Sequence, residues 1–167
     1  MKRALVILLG LCMAFASAQD VWKTITSTEG KFTVKMPGTP QTSTQKYTRG
    51  KYTIPTTMYI VSKPTTNFVL TSSILPAGVS DEFVKTMFAE TKTGFLQTVG
   101  GTSLTDKDGG YNGIQGRIMT FKAPNGAQGA FWMFVKNGRF YTLTLGKRSG
   151  DYADEQAKFF GSFHLKP

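Results

Sequence analysis

What the chain lacks narrows its chemistry first. Among 167 residues cysteine occurs once, at Cys12, and histidine once, at His164. Cys12 falls inside an N-terminal stretch with the character of an export leader. Lys2 and Arg3 form a positive start, residues 4–16 are uncharged and mostly apolar, and Ala16-Ser17-Ala18 is a small-x-small cleavage signal. The apolar run is shorter than the ~20 residues that span a bilayer. Leu11, directly before Cys12, does not suit lipidation. The expectation is a signal peptide over residues 1–18 and a periplasmic or extracellular mature chain of 149 residues starting at Gln19. That chain has no thiol, so disulfides, thiol catalysis and thiolate metal sites are excluded. One histidine removes the usual zinc and copper ligand sets. It also leaves a Ser-His-Asp arrangement dependent on His164 alone, near the C-terminus after Phe163, where a surface or edge histidine is expected.

Acidic residues are also scarce. Lys and Arg number 20 against 10 Asp and Glu, a net charge of +10; without Lys2 and Arg3 it is +8. Such a field favours anionic surfaces. No run of five basic residues occurs, which disfavours a nucleic-acid tail. The stretch Asp106-Lys107-Asp108-Gly109-Gly110 has the start of a calcium loop, but position 6 is Tyr111 and position 12 is Arg117, where Gly and Glu are needed. It is read as a turn. The glycines Gly109, Gly110, Gly113 and Gly116 lack the spacing of a phosphate loop. No catalytic, cofactor-binding or metal-binding residue is assigned.

What is present is a dense β pattern. In residues 129–146, GAFWMFVKNGRFYTLTLG, two apolar runs flank Asn137-Gly138, the dipeptide suited to a two-residue type I′ turn. That turn pairs Lys136 with Arg139, Phe134 with Tyr141, Trp132 with Leu143 and Ala130 with Leu145. Both faces are then largely apolar, and both require cover. Upstream, strands are expected over 20–27 (with Val21 and Trp22 as anchors), 31–36, 41–47, 52–62 and 68–75. In the second, Phe32, Val34 and Met36 share one face. Pro55 places part of 52–62 at an edge or bulge. Residues 80–99 form the long helix, capped by Ser80 and ended by Gly100-Gly101, with Phe83, Val84, Met87, Phe88, Phe95 and Val99 as its apolar stripe. A short strand follows at 102–104, then the turn at 106–110 and a hairpin 113–121/127–135. Residues 151–160 close as a shorter helix with Asp151 as N-cap. The local hairpins make the class α+β, in one domain over 19–167.

These segments resemble the PsbP-like proteins. Residues 22–40 (WKTITSTEGKFTVKMPGTP), GIQGR at 113–117, the KNGRFYTLTL hairpin and FFGSFHL at 159–165 carry the resemblance across the mature chain. It implies an antiparallel sheet covered by helices on both faces, an α/β/α sandwich. Family members are mostly non-catalytic: photosystem II accessory subunits, export-linked chaperone-like proteins and a nuclear-transport relative that binds the GTPase Ran. No catalytic residue carries over.

The functional expectation is an exported, non-enzymatic binding or accessory protein acting on a protein or an anionic envelope component. It needs no cofactor, has no specific nucleic-acid role and has no membrane span in the mature chain. Lys136, Arg139, Lys147 and Arg148 are the candidate surface for an anionic partner. The alternatives are a carrier with an apolar cavity for a small molecule or lipid, and a hydrolase with an unrecognised site.

Overall fold

The computed structural model describes residues 21–167. The leader expected at 1–18 lies outside them. Two antiparallel sheets and two helices make up the described chain. The large sheet has seven strands: β3 (Gln41–Arg49), β4 (Tyr52–Ser62), β5 (Thr66–Ile74), β6 (Thr102–Tyr111), β7 (Ile114–Lys122), β8 (Gln128–Lys136) and β9 (Arg139–Lys147). Their spatial order is β3-β4-β5-β9-β8-β7-β6. The small sheet joins β1 (Lys23–Ser27), β2 (Phe32–Met36) and β10 (His164–Leu165), with β2 in the middle. The helices are α1 (Asp81–Val99) and α2 (Ala153–Gly161).

The β8–β9 hairpin has the expected register, from Lys136↔Arg139 to Ala130↔Leu145. Asn137 at φ 51° and Gly138 at φ 68° supply the two left-handed residues that a type I′ turn needs. Its two faces lie in two separate cores. Ala130, Trp132, Phe134, Tyr141, Leu143 and Leu145 join Phe32, Val34 and Met36 of β2 and Phe159, Phe160 and Phe163. Phe131, Met133 and Phe140 join Met87 of α1, with Phe83, Phe88 and Phe95 packed at the margin. Helices on both faces is thus too simple a description. α1 alone covers one face; the small sheet together with α2 covers the other.

That second cover is clasped to the large sheet by hydrogen bonds as well as rings. Tyr141 Oη donates to the Gly30 carbonyl at 2.9 Å, Ser27 Oγ and Tyr59 Oη share a bond of 2.7 Å, and Arg139 Nη2 donates to the Glu29 carbonyl at 2.8 Å. Burial pushes the Tyr141 phenol up to about 12, so it stays a donor.

Three local expectations are corrected and a fourth, for Pro55, holds. Residues 106–110 do not turn. They continue β6, and the turn comes at Asn112-Gly113, φ 53° and 74°, the same dipeptide chemistry as in the last hairpin. Strand propensity at Asp106 and Asp108 is poor, but partners described below hold both. Asp151 is not the N-cap of α2. Tyr152 takes that position, while Asp151 Oδ1 accepts the Ala153 N–H at 3.0 Å. Val21 anchors nothing, being 71% exposed; Trp22 meets Phe68 edge-on at 5.5 Å. Pro55 sits in β4 opposite Lys46, one residue before the β5 pairing begins at Thr56, so on one side it needs no ladder bond.

No helix among the described residues is long and apolar enough to cross a membrane.

Candidate functional site

α1 begins at Ser80, whose side chain accepts the Phe83 N–H at 3.1 Å, and ends at Gly100 in the left-handed region, φ 60°. It lies across the β7–β8–β9 part of the sheet. Phe95 stacks on Phe131 with ring centres 4.7 Å apart and meets Phe121 edge-on at 4.8 Å. Phe88 meets Phe140 edge-on at 5.4 Å. Met87 is the one helix residue among these that is buried. The helix therefore rests on the sheet along a narrow line.

Beside that line, toward β6 and β7, helix and sheet diverge and leave a groove of about 580 Å³. Phe88, Ala89 and Met133 give it an apolar floor. Lys85 and Lys92 stand on the helix wall; Asp106, Asp108, Gln115 and Arg117 stand on the strand wall. Alternation explains the second set. Asp106 pairs with Met119, Asp108 with Arg117 and Arg117 with Met133, so these side chains share the face turned toward α1.

The charges form one chain. Lys92 Nζ donates to Asp106 Oδ2 at 2.8 Å, Arg117 Nε to Asp106 Oδ1 at 2.8 Å, and Arg117 Nη1 to Asp108 Oδ1 at 2.9 Å. Burial alone would raise the Asp106 carboxyl. The hydrogen bonds and charges of Lys92 and Arg117 outweigh it, and the group is held below its ordinary value. Arg117 is in turn held more firmly protonated, chiefly by Asp106 and then Asp108. Lys85 has no ion-pair partner among the described residues. Neither Asp106 nor Arg117 stood out in the sequence as a site. The usable signal was Asn112-Gly113, which restores 106–111 to a strand and puts Asp106 and Asp108 beside Arg117.

The four residues expected to meet an anionic partner do not converge. Lys136 and Arg139 flank the Asn137-Gly138 turn, whereas Lys147 and Arg148 lie at the far end of β9, a nine-residue strand. At a rise of about 3.4 Å per residue that is roughly 27 Å away. Arg139 is occupied with the Glu29 carbonyl. Lys147 is largely buried, bonded to Glu155 Oε1 at 2.6 Å and to the Asp151 carbonyl. Lys136 and Arg148 are exposed.

His164 is exposed on β10, its Nδ1 3.0 Å from the Ser162 carbonyl oxygen. It borders a second hollow of about 430 Å³ with Thr33, Lys35, Lys158 and Ser162, and no carboxylate lines that hollow. Among the described residues no group of three His, Cys, Asp or Glu is placed to hold a metal ion.

Two packed layers built on a seven-stranded antiparallel sheet define the class, an α+β sandwich of sheet, small sheet and helices. Within that class the chain has a PsbP-like fold. The solution structure of cyanobacterial PsbP (CyanoP) from Synechocystis superposes with a TM-score of 0.59 over 94% of this chain and 98% of that one, at 11% sequence identity. At that identity the likeness is one of fold. No protein-family profile matches the sequence, and no curated protein does.

Proposed function

We propose that the chain is an exported, non-enzymatic binding protein that serves as an accessory to a partner, with the groove beside α1 as its contact site. The observation that supports this best is the condition of the groove's charged groups. Asp106 accepts from two cations through both oxygens and lies below the ordinary carboxylate range. A carboxylate in that state is a poor proton donor and a weak base. It is well suited to fixing the spacing between helix and sheet. What remains for a visitor is the Phe88–Met133 floor, with Lys85 and Gln115 at the rim. An apolar centre with a polar rim is the composition of a recognition surface. The resemblance to PsbP proteins supports an accessory role, and the leader expected at residues 1–18 supports export.

The test is a photo-crosslinking residue in place of Ala89 in the full chain, activated in the envelope of its own host. The expected result is one protein adduct that weakens when Lys85→Glu is added. Absence of an adduct there, with a strong one from the exposed Lys136 position, would move the contact elsewhere. A carrier role has one observation in its favour, the apolar floor. Native mass spectrometry on protein purified from the same host decides it: a stoichiometric small molecule, lost in Met133→Glu, would replace the accessory reading.

A further inference from the structure

The large sheet ends in two edge strands, β3 and β6. They are treated very differently. β6 is irregular: its register with β7 shifts between Ser103 and Thr105. It carries Gly109 and Gly110, and its acids are tied down by Lys92 and Arg117. A bulge, glycines and inward charges are the devices by which proteins keep an edge from accepting another strand.

β3 has neither bulge nor glycine, and its one inward charge, Arg49, sits at its very end over Phe83 of α1. Its nine residues, QTSTQKYTR, pair with β4 in unbroken register from Gln41↔Ile60 to Arg49↔Tyr52, without proline, glycine or shift. Eight of the nine are exposed, and α1 reaches the strand only at its last residue, Arg49. Threonine and tyrosine favour extended backbone, and Tyr47 is 48% exposed. In an antiparallel ladder alternate residues turn their N–H and C=O groups outward. Counting from Arg49↔Tyr52, which closes a two-residue loop, the outward set is Thr48, Lys46, Thr44 and Thr42. The close Thr44–Thr57 side-chain bond, 3.0 Å, agrees with a pair that exchanges no backbone bonds.

The strand's own charges, Lys46 and Arg49, are of one sign. None of the chain's ten Asp and Glu residues lies between Glu29 and Asp81, the stretch that holds the β3–β4 hairpin with Lys46, Arg49 and Lys51. Arg49 is matched by Glu90 of α1 at 2.8 Å. Lys46 is exposed in the middle of the strand and has no carboxylate beside it among the described residues.

We propose that the outer edge of β3 is a docking site for an extended, acidic segment of another protein, which adds as an eighth strand. The ladder supplies affinity through the four outward residues, and Lys46 selects an acidic visitor over a basic one. A second copy of this chain fits less well, since β3 laid against β3 opposes only like charges.

The probe is a nine-residue peptide alternating threonine or valine with glutamate, titrated into the isotope-labelled full chain and followed by NMR and amide exchange. Slowed exchange at the amides of Thr42, Thr44, Lys46 and Thr48 is expected. A peptide with lysine in place of glutamate has no such effect. Thr44→Pro, at a position whose N–H faces solvent, abolishes binding. Lys46→Glu, which keeps the ladder and guards against a folding defect, weakens it about fivefold. Unchanged β3 amides at millimolar peptide, or equal binding of the lysine peptide, would overturn the proposal. So would protection that appears on raising protein concentration alone, which would make the edge a self-interface.

Discussion

The two faces of the large sheet do different work. Against the small sheet and α2, Trp132, Tyr141, Phe134, Phe32, Phe68, Phe159, Phe160 and Phe163 are essentially without exposure. Rings there meet edge-on, tilted or stacked at 4.4–6.4 Å. Against α1, a nineteen-residue helix, only Met87 among the helix residues is buried, and a groove opens beside it. The lesson is a division of labour. One face is filled by large side chains from both layers, and the other keeps a lightly seated helix with a groove along its flank. Loosely held elements are where binding surfaces are commonly found.

Four substitutions would break or sharpen that contrast. Trp132→Ala, on the filled face, should cost about 3–5 kcal/mol in denaturant unfolding, enough to threaten folding. Met87→Ala, the deepest point of the α1 seat, should cost about 2 kcal/mol, the low end for such truncations because the site is shallow and can collapse. Equal losses at the two positions would erase the distinction between faces. Asp106→Asn should cost about 1 kcal/mol at neutral pH, since it loosens Lys92 and Arg117 together. Its sign with pH follows from the depressed carboxyl. The contribution of Asp106 is complete above the ordinary carboxylate value of about 3.9 and is lost as pH falls below it toward the group's own lower value. The gap between parent and variant should therefore close in acid, measurable as stability against pH. Lys85→Gln should change stability by less than about 0.5 kcal/mol, as an exposed position without an ion-pair partner among the described residues, while weakening whatever binds the groove.

Much of this arrangement could be read from the residues. Asn137-Gly138 sets one register only, and that register assigns Trp132 and Phe131 to opposite faces; both are buried as pairing requires. Ser80, the acidic first turn and Gly100 delimit α1 because capping is local chemistry. β6 was hidden for the opposite reason. Asp-Lys-Asp-Gly-Gly has the composition of a turn, and it is extended only because Lys92, fourteen residues upstream, and Arg117, on the next strand, neutralise its acids. The groove was hidden with it, since its strand wall exists only if 106–111 is a strand. The basic residues at 136, 139, 147 and 148 lie as two pairs separated by the length of β9, a dimension that residue spacing near a turn does not reveal.

Native-state amide exchange on the full chain tests the division between faces most directly. Amides of α1 should open at a markedly lower free energy than those of β8, β9 and α2, which should exchange only on global unfolding. Protection of α1 equal to that of β8 and β9 would contradict it.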